Sequence, residues 1–181
     1  LLMEPKLPTG GRKPRIGVLM PAGRLEGNLG VVTHTYNDPE KAKTLFTNIG
    51  DCFVYDSSLR ILDYSEIFPI YVPADGNISE TLIEQINRLD YIFLRGSNYI
   101  NTNGQWDPIT AVLEKTKVPV IAFGIGVQVP DNSDEYVNES TKRFLQLVAD
   151  RSVSIGVRGN LSKKALNSIG IKNVRIFGCP T

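Results

Sequence analysis

The sequence has little of the chemistry that metal sites and disulfide frameworks require. It contains two cysteines, Cys52 and Cys179, in no C-x-x-C pair, and one histidine, His34. Because zinc sites and disulfide frameworks depend on clustered cysteine and histidine, we expect no metal site and a reducing compartment. His34 stands in a glycine-rich stretch without paired carboxylates, so histidine acid–base catalysis is not supported.

Long apolar runs and an excess of charge of one sign are also missing. No stretch approaches the roughly 18 apolar residues of a membrane helix, and the start does not resemble a signal peptide. The formal net charge is +1, from 20 basic and 19 acidic residues. This balance argues against duplex DNA or an anionic bilayer as partner. We therefore expect a cytoplasmic protein that binds no nucleic acid.

Common nucleotide-binding and hydrolase motifs are absent as well. The sequence has neither a Walker A motif nor a G-x-S-x-G elbow. Gly124 and Gly126 begin a G-x-G-x-x-G pattern, but Val129 stands where the third glycine belongs. No helix follows at once either, because residues 130–133 intervene. A dinucleotide fingerprint is disfavoured.

What the sequence does have is a regular alternation of strand and helix patterns. We predict strands at 15–20, 67–72, 91–94, 118–123, 153–157 and 174–177, and helices at 48–62, 79–89, 107–117, 134–150 and 160–168. The first helix is expected to turn Ile49, Phe53, Leu59 and Leu62 inward. Alternation of this kind predicts a doubly wound, mostly parallel Rossmann-like α/β sheet. We assign residues 1–14 to a flexible leader and 15–181 to one domain, and expect the chain to stop before a C-terminal domain.

Ligands of such sheets bind beyond the carboxyl ends of the strands, and the loops there hold candidate site residues. The first helix begins with Asn48, Gly50 and Asp51, whose free N–H groups favour an anion. Asp51 lies in the first turn of this helix, where the helix dipole stabilises a carboxylate. The alternative is a structural role, because capping residues and first-turn acids are common at helix starts.

A second loop, Arg95, Gly96, Ser97 and Asn98, directly follows a predicted strand. A guanidinium beside small hydrogen-bonding side chains suits recognition of phosphate or carboxylate. A tight turn that uses glycine and asparagine for left-handed conformations is the alternative.

Two further loops complete the candidate site. Gly124, Gly126 and Gln128 follow one strand, and the glycines can let a ligand approach the backbone. Arg158 follows the next strand, where it can clamp an anion bidentately, although an exposed arginine is often only solvated.

Taken in order, these loops resemble those of polysaccharide pyruvyl transferases. The matching pieces are NIGD, RGSN, VPVIAFGIGVQ, VSIGVRGNLSKKAL and GIKNVRIFGCPT, and the resemblance covers residues 16–181. The last two are the most specific, with an arginine at a strand end, a serine-containing helix and a Gly-Cys-Pro ending. Members often carry Gly-Gly where this chain has Arg95-Gly96-Ser97, so that loop is expected to contact its ligand differently.

The resemblance implies the N-terminal half of a two-domain enzyme of glycosyltransferase-B type. Such enzymes transfer pyruvyl from phosphoenolpyruvate to a sugar of a cell-surface polysaccharide or its lipid-linked precursor, as in exopolysaccharide biosynthesis. The resemblance implies no cofactor beyond the donor, and it implies a carboxylate such as Asp51 as the base. The resemblance also implies a saccharide acceptor and a C-terminal domain of the same chain as partners, and we expect membrane contact only at the inner face through a lipid-linked acceptor. The isolated chain is expected to fold but to be inactive.

Two other functions remain open at this stage. The chain can be the acceptor-side domain of a sugar-nucleotide glycosyltransferase, or a non-catalytic α/β binding module whose strand-end loops are structural turns. The sequence does not identify the acceptor sugar.

Overall fold

A computed structural model describes residues 11–19, 28–29, 49–73, 75–129 and 135–181, with the backbone alone at 28–29, 49 and 51–52. The strands are β1 Arg15–Leu19, β2 Asn28–Leu29, β3 Glu66–Ile70, β4 Val72–Pro73, β5 Tyr91–Leu94, β6 Val120–Ile125, β7 Ile155–Val157 and β8 Val174–Ile176. The helices are α1 Ile49–Ile61, α2 Glu80–Asn87, α3 Asp107–Lys115, α4 Glu139–Asp150 and α5 Asn160–Ser168.

A six-stranded sheet in the order β3-β1-β5-β6-β7-β8 forms the centre of the fold. Every neighbouring pair in it is parallel, which confirms the predicted doubly wound, Rossmann-like α/β architecture. The chain runs from β1 outward to β3 and then returns to β5 on the other side of β1. The switch in direction lies between β1 and β5, and a crevice for ligands is expected at their carboxyl ends.

The two faces of the sheet pack against different helices. The larger cluster contains buried residues of α2 to α5, such as Ile86, Val112, Phe144 and Leu166. On the opposite face, Tyr55 of α1 packs with Ile16, Val18 and Phe93. This two-sided burial explains why the strands read as continuous apolar runs.

Several predicted boundaries hold because their capping residues act as expected. Ser79 caps α2, with its Oγ accepting a hydrogen bond from Leu82 N at 3.2 Å. Helix α5 has the predicted limits, and Gly170 closes it with a φ of 89°.

Other boundary predictions are wrong. Helix α4 begins at Glu139 rather than 134, because Asn138 is its cap and accepts from Thr141 N at 2.8 Å. The predicted strand 67–72 divides after Ile70, and the next segment forms an antiparallel pair with β2. Strand β6 starts two residues later than predicted and extends to Ile125.

The predicted inward face of α1 is confirmed only in part, because Leu59 and Leu62 pack against the core but Phe53 does not. Phe53 is 63% exposed, whereas Val54, Tyr55 and Ser58 are buried. Phe53, near the start of the helix, therefore lies on the surface rather than on the core face.

The described part of the predicted leader, residues 11–14, is attached to the sheet by charged groups. Arg12 makes a bidentate contact to Asp90, with nitrogen–oxygen distances of 2.9 and 2.7 Å. Asp90 also accepts from Arg15 N at 2.8 Å. The hydrogen bond from Arg12 lowers the pKa of Asp90, although partial burial acts in the opposite direction.

This pKa shift predicts a loss of stability in acid. Because the folded-state pKa is below the unfolded value, the contribution of Asp90 is present above about pH 4 and is lost as pH falls through the folded pKa. We expect Asp90→Asn to lower the free energy of unfolding by up to about 1 kcal/mol near neutral pH, the range of surface charge pairs. Urea unfolding over a pH series measures it.

The matched control is Asp150→Asn, since Asp150 is exposed and makes no ion pair with a described residue. If the difference in the free energy of unfolding between the wild type and Asp90→Asn stayed constant down to acid pH, the lowered pKa of Asp90 would be contradicted.

Candidate functional site

Loops at the carboxyl ends of the strands surround a cavity of about 580 Å³. It is lined by Gly50, Phe53, Val54, Ser97, Asn98, Gln128, Arg158, Cys179 and Thr181. These residues come from the start of α1 and from the segments that follow β5, β6, β7 and β8. The cavity therefore lies at the sheet edge where the topology predicts a ligand.

Backbone hydrogen bonds join the loop after β5 to the loop after β6. Gly126 N donates to Ser97 O at 2.8 Å, Ile100 N donates to Gly126 O at 3.1 Å, and Gln128 N donates to Ile100 O at 2.8 Å. Ile100 and Val127 form a parallel bridge. The two loops extend the sheet pairing beyond its strands, so the side chains of Asn98 and Gln128 stand on a paired backbone.

Arg158 is the cationic group of the cavity wall, and neutral oxygens hold it. Its Nε donates to Gly124 O and its Nη1 to Asn98 Oδ1, both at 3.0 Å. Asn98 Nδ2 in turn donates to Gln128 Oε1 at 3.3 Å. The side chain is thus oriented by two contacts, and no described residue accepts a hydrogen bond from its Nη2.

The charge of Arg158 is not neutralised by a described carboxylate. Arg12, Arg15, Arg60 and Arg143 each pair with an aspartate or glutamate. Within the described ranges, no such ion pair involves Arg158. A partly buried guanidinium that keeps unused donors at a cavity wall is suited to bind an anion.

Glycines make room for this arrangement. A Cβ on Gly126 would overlap Asn98 Oδ1 and would lie 3.2 Å from both Cδ and Nη1 of Arg158. Gly124 has a φ of 73°, and a Cβ there would lie 2.9 Å from Pro180 Cδ. Gly96 is closely packed too, since its Cβ would lie 3.0 Å from Gly124 O. At Gly96, Gly124 and Gly126 the loops pack so closely that a side chain would not fit without a shift of its neighbours.

Cys179 brings a thiol to the same cavity. Its Sγ lies 3.1 Å from Thr181 Oγ1. Burial raises the pKa of the Cys179 thiol, but hydrogen bonds with Thr181 and the charge of Arg158 outweigh that effect, so the pKa is lowered. The lowering comes mainly from the hydrogen bonds with Thr181, and the charge of Arg158 contributes least.

The structure brings most of the predicted site residues together. Gly50, Ser97, Asn98, Gln128 and Arg158 line the cavity, and Gly96, Gly124 and Gly126 pack the loops behind it. Arg95 is 5% exposed, and its Nη1 donates to Gly96 O at 3.0 Å. Asn48 lies outside the described residues. The backbone of Asp51 belongs to the first turn of α1, but its side chain is not described.

Sequence reasoning missed other cavity residues, namely Phe53, Val54, Cys179 and Thr181. Cys179 and Thr181 follow β8 at the same sheet edge, so their position after a strand was the available signal. The spacing of Phe53 from the other apolar residues of the first helix predicted a buried position, although the residue lies at the cavity.

Two kinds of feature are missing from the described part of the chain. It has no group of three or more histidine, cysteine, aspartate and glutamate side chains that could hold a metal ion. Nor does any helix within it have the length and apolar character needed to cross a membrane.

Comparisons with known proteins agree with the resemblance seen in the motifs. Searches of curated proteins and of solved structures find no match. Residues 28–181, which include every residue that lines the cavity, match the family model described as polysaccharide pyruvyl transferase. The chain belongs to the polysaccharide pyruvyl transferase family.

Proposed function

We propose that the cavity binds phosphoenolpyruvate, and that the protein transfers its pyruvyl group to a sugar of a cell-surface polysaccharide or of a lipid-linked precursor. Family membership supports the reaction class. The single observation that carries the choice of an anionic donor is Arg158, a guanidinium at the cavity wall without a described carboxylate partner. Phosphoenolpyruvate has a carboxylate and a phosphate, both of which suit a guanidinium.

The reaction sets clear demands on the site. Two sugar hydroxyls add to the enol carbon of the donor, the bond from that carbon to the phosphate oxygen breaks, and phosphate leaves. Of the two hydroxyl protons, one goes to the terminal CH₂ carbon, which becomes a methyl group, and the other leaves with phosphate. The site therefore needs cationic donors for the anions and a base for the hydroxyls.

The candidate residues divide between these tasks. Arg158 binds an anionic group of the donor, and the N–H groups at the start of α1, near Asn48 and Gly50, favour a second negative charge. Asp51 in that first turn is the proposed base. Ser97, Asn98 and Gln128 offer neutral hydrogen-bonding groups to sugar hydroxyls, while Arg95 and the loop glycines shape the wall.

We further propose that a second domain of the same protein completes the donor site in an arrangement of glycosyltransferase-B type. No cofactor other than the donor is needed for this chemistry. The protein would work in the cytoplasm and would meet the inner face of the membrane only through a lipid-linked acceptor.

The transfer itself is the first test. Intact protein is mixed with phosphoenolpyruvate and a panel of lipid-linked sugars, and phosphate release is followed together with the mass of the product. We expect phosphate to appear only with a suitable acceptor, whose mass increases by a pyruvate ketal. Turnover of a nucleotide sugar without phosphate release from phosphoenolpyruvate would overturn the proposal in favour of glycosyl transfer.

The same assay tests the proposed base. Asp51→Asn should abolish transfer but leave donor binding in place, whereas Asp56→Asn on the same helix should retain transfer. Full activity of Asp51→Asn would remove Asp51 from the chemistry.

Replacement of Arg158 by lysine should be costly although the charge is kept. Lysine cannot bridge Gly124 O and Asn98 Oδ1 while it presents a planar edge to the anion. We expect kcat/KM for phosphoenolpyruvate to fall roughly a hundredfold or more, the scale reported for loss of one key charge-stabilising donor. Arg175→Lys is the matched control, because Arg175 on β8 is exposed and lies away from the cavity. Equal kinetics for the two variants would exclude Arg158 from donor binding.

Gly126→Ala tests whether packing positions Arg158. The added Cβ would displace Asn98 and the arginine, so we expect KM for phosphoenolpyruvate to rise roughly tenfold and stability to fall by about 1–2 kcal/mol from overpacking. In the double variant Gly126→Ala, Asn98→Ala, thermal unfolding should recover because the overlapping oxygen is gone, but KM should stay high. Additive losses of stability would contradict the packing argument.

A further inference from the structure

A second, smaller cavity of about 280 Å³ adjoins the first at the same sheet edge. It is lined by Asn98, Gly126, Val127, Arg158, Gly159, Leu161 and Ser162. Asn98 and Arg158 also line the larger cavity. The hydrogen bond between these two side chains therefore lies between the two cavities. The start of α5 forms much of the wall of the smaller one.

Ser162 is the unusual residue of this second cavity. The residue as a whole is 3% exposed, no described residue is hydrogen-bonded to its hydroxyl, and its oxygen is not among the fully buried atoms that lack a partner. Other buried hydroxyls donate to carbonyl oxygens, namely those of Ser58, Thr110, Thr116 and Thr141. Ser152 differs, because its oxygen is fully buried without a partner and the residue lines neither cavity at this edge. A hydroxyl that lines a cavity and bonds no described residue can both donate to and accept from a ligand.

The start of α5 leaves backbone donors at the same place. Lys163 N makes the first intrahelical bond, to Gly159 O at 3.1 Å. The N–H groups of Asn160, Leu161 and Ser162 precede it and have no intrahelical acceptor. The cap residue Gly159 has no side chain to accept from them, and the first turn contains no acidic residue. Both facts leave the positive end of the helix dipole uncompensated.

We infer that the start of α5 forms a phosphate-binding subsite distinct from the larger cavity. Backbone N–H groups at 160–162, the hydroxyl of Ser162 and the guanidinium of Arg158 all offer donors, and no described carboxylate lines the cavity. This donor set matches the tetrahedral oxygens and negative charge of a phosphate group.

The subsite also gives a role to the shared position of Arg158, and this step rests on the proposed function. The donor would place its phosphoryl group at α5 and its carboxylate in the larger cavity, with the guanidinium between them. The released phosphate would occupy the subsite after transfer.

Binding of inorganic phosphate to the chain tests the subsite without any transfer reaction. In a titration followed by ¹H–¹⁵N correlation spectra, with chloride as the ionic-strength control, the amide signals of Leu161 and Ser162 should shift saturably. Absence of a saturable shift at 160–162 would overturn the inference.

Two variants separate binding from folding. Ser162→Ala should weaken phosphate binding roughly tenfold, the effect of one hydrogen bond to a charged acceptor. Its thermal stability should be unchanged or higher, because the lost hydroxyl has no protein partner. A purely structural serine would show the opposite pattern.

Gly159→Asp should fill the subsite with a carboxylate of the chain itself. A Cβ at Gly159 meets no atom within 4 Å, and its φ of −173° is an extended conformation that any residue adopts. Aspartate is a favoured cap, so we expect higher stability and loss of phosphate binding. Asn167→Asp, near the other end of α5, adds the same charge and should leave binding unchanged.

The outcomes separate this inference from the proposed function. Phosphate affinity that Gly159→Asp and Ser162→Ala leave unchanged refutes the subsite, even if the intact protein transfers pyruvyl. Phosphate binding that Ser162→Ala weakens and Gly159→Asp abolishes supports the subsite, even if phosphoenolpyruvate is not a donor.

Discussion

The site depends on one positioned cation. Arg158 follows β7, and Gly124 O and Asn98 Oδ1 hold its guanidinium from loops that follow two other strands. Neutral oxygens orient the group but do not cancel its charge, so the charge remains available to a ligand. A carboxylate would have held the Arg158 guanidinium more strongly than neutral oxygens do. It would also have competed with an anionic ligand for that guanidinium.

The rest of the edge is arranged so that this contact can form. Parallel pairing of β5, β6 and β7 brings their carboxyl ends together, and the backbone bonds between Ser97, Gly126 and Ile100 continue that pairing into the loops. Gly126 lets Asn98 and Arg158 lie across the backbone where any side chain would overlap them. The pairing of the parallel strands therefore sets the positions of the loops that carry Asn98 and Arg158.

Much of the fold could be predicted from sequence because local signals agree with it. The apolar run at β5, the Ser79 cap and the limits of α5 depend on residues within a few positions of one another. The start of α4 was missed because Asn138 is a cap that also bonds Gly104 O, a contact to a distant loop. Phe53 followed the core spacing but lies at the cavity, and such conflicts between pattern and burial are expected at functional sites.

The candidate site could be predicted in its residue types but not in its contacts. Arg158 and Asn98 are 60 positions apart, and no pattern in the chain links them. The serine-containing helix was part of the family resemblance, but nothing in the sequence showed that the Ser162 hydroxyl faces a cavity. Only the assembled sheet shows which polar groups have partners and which face a cavity.

The most direct measurement is a crystal structure of the protein with phosphoenolpyruvate bound. We expect an anionic group of the donor within hydrogen-bonding distance of Arg158 Nη2, while Nε and Nη1 keep their contacts to Gly124 and Asn98. Donor bound away from this edge, or Arg158 turned from it toward a carboxylate, would contradict the central claim that this guanidinium is held in place for an anion.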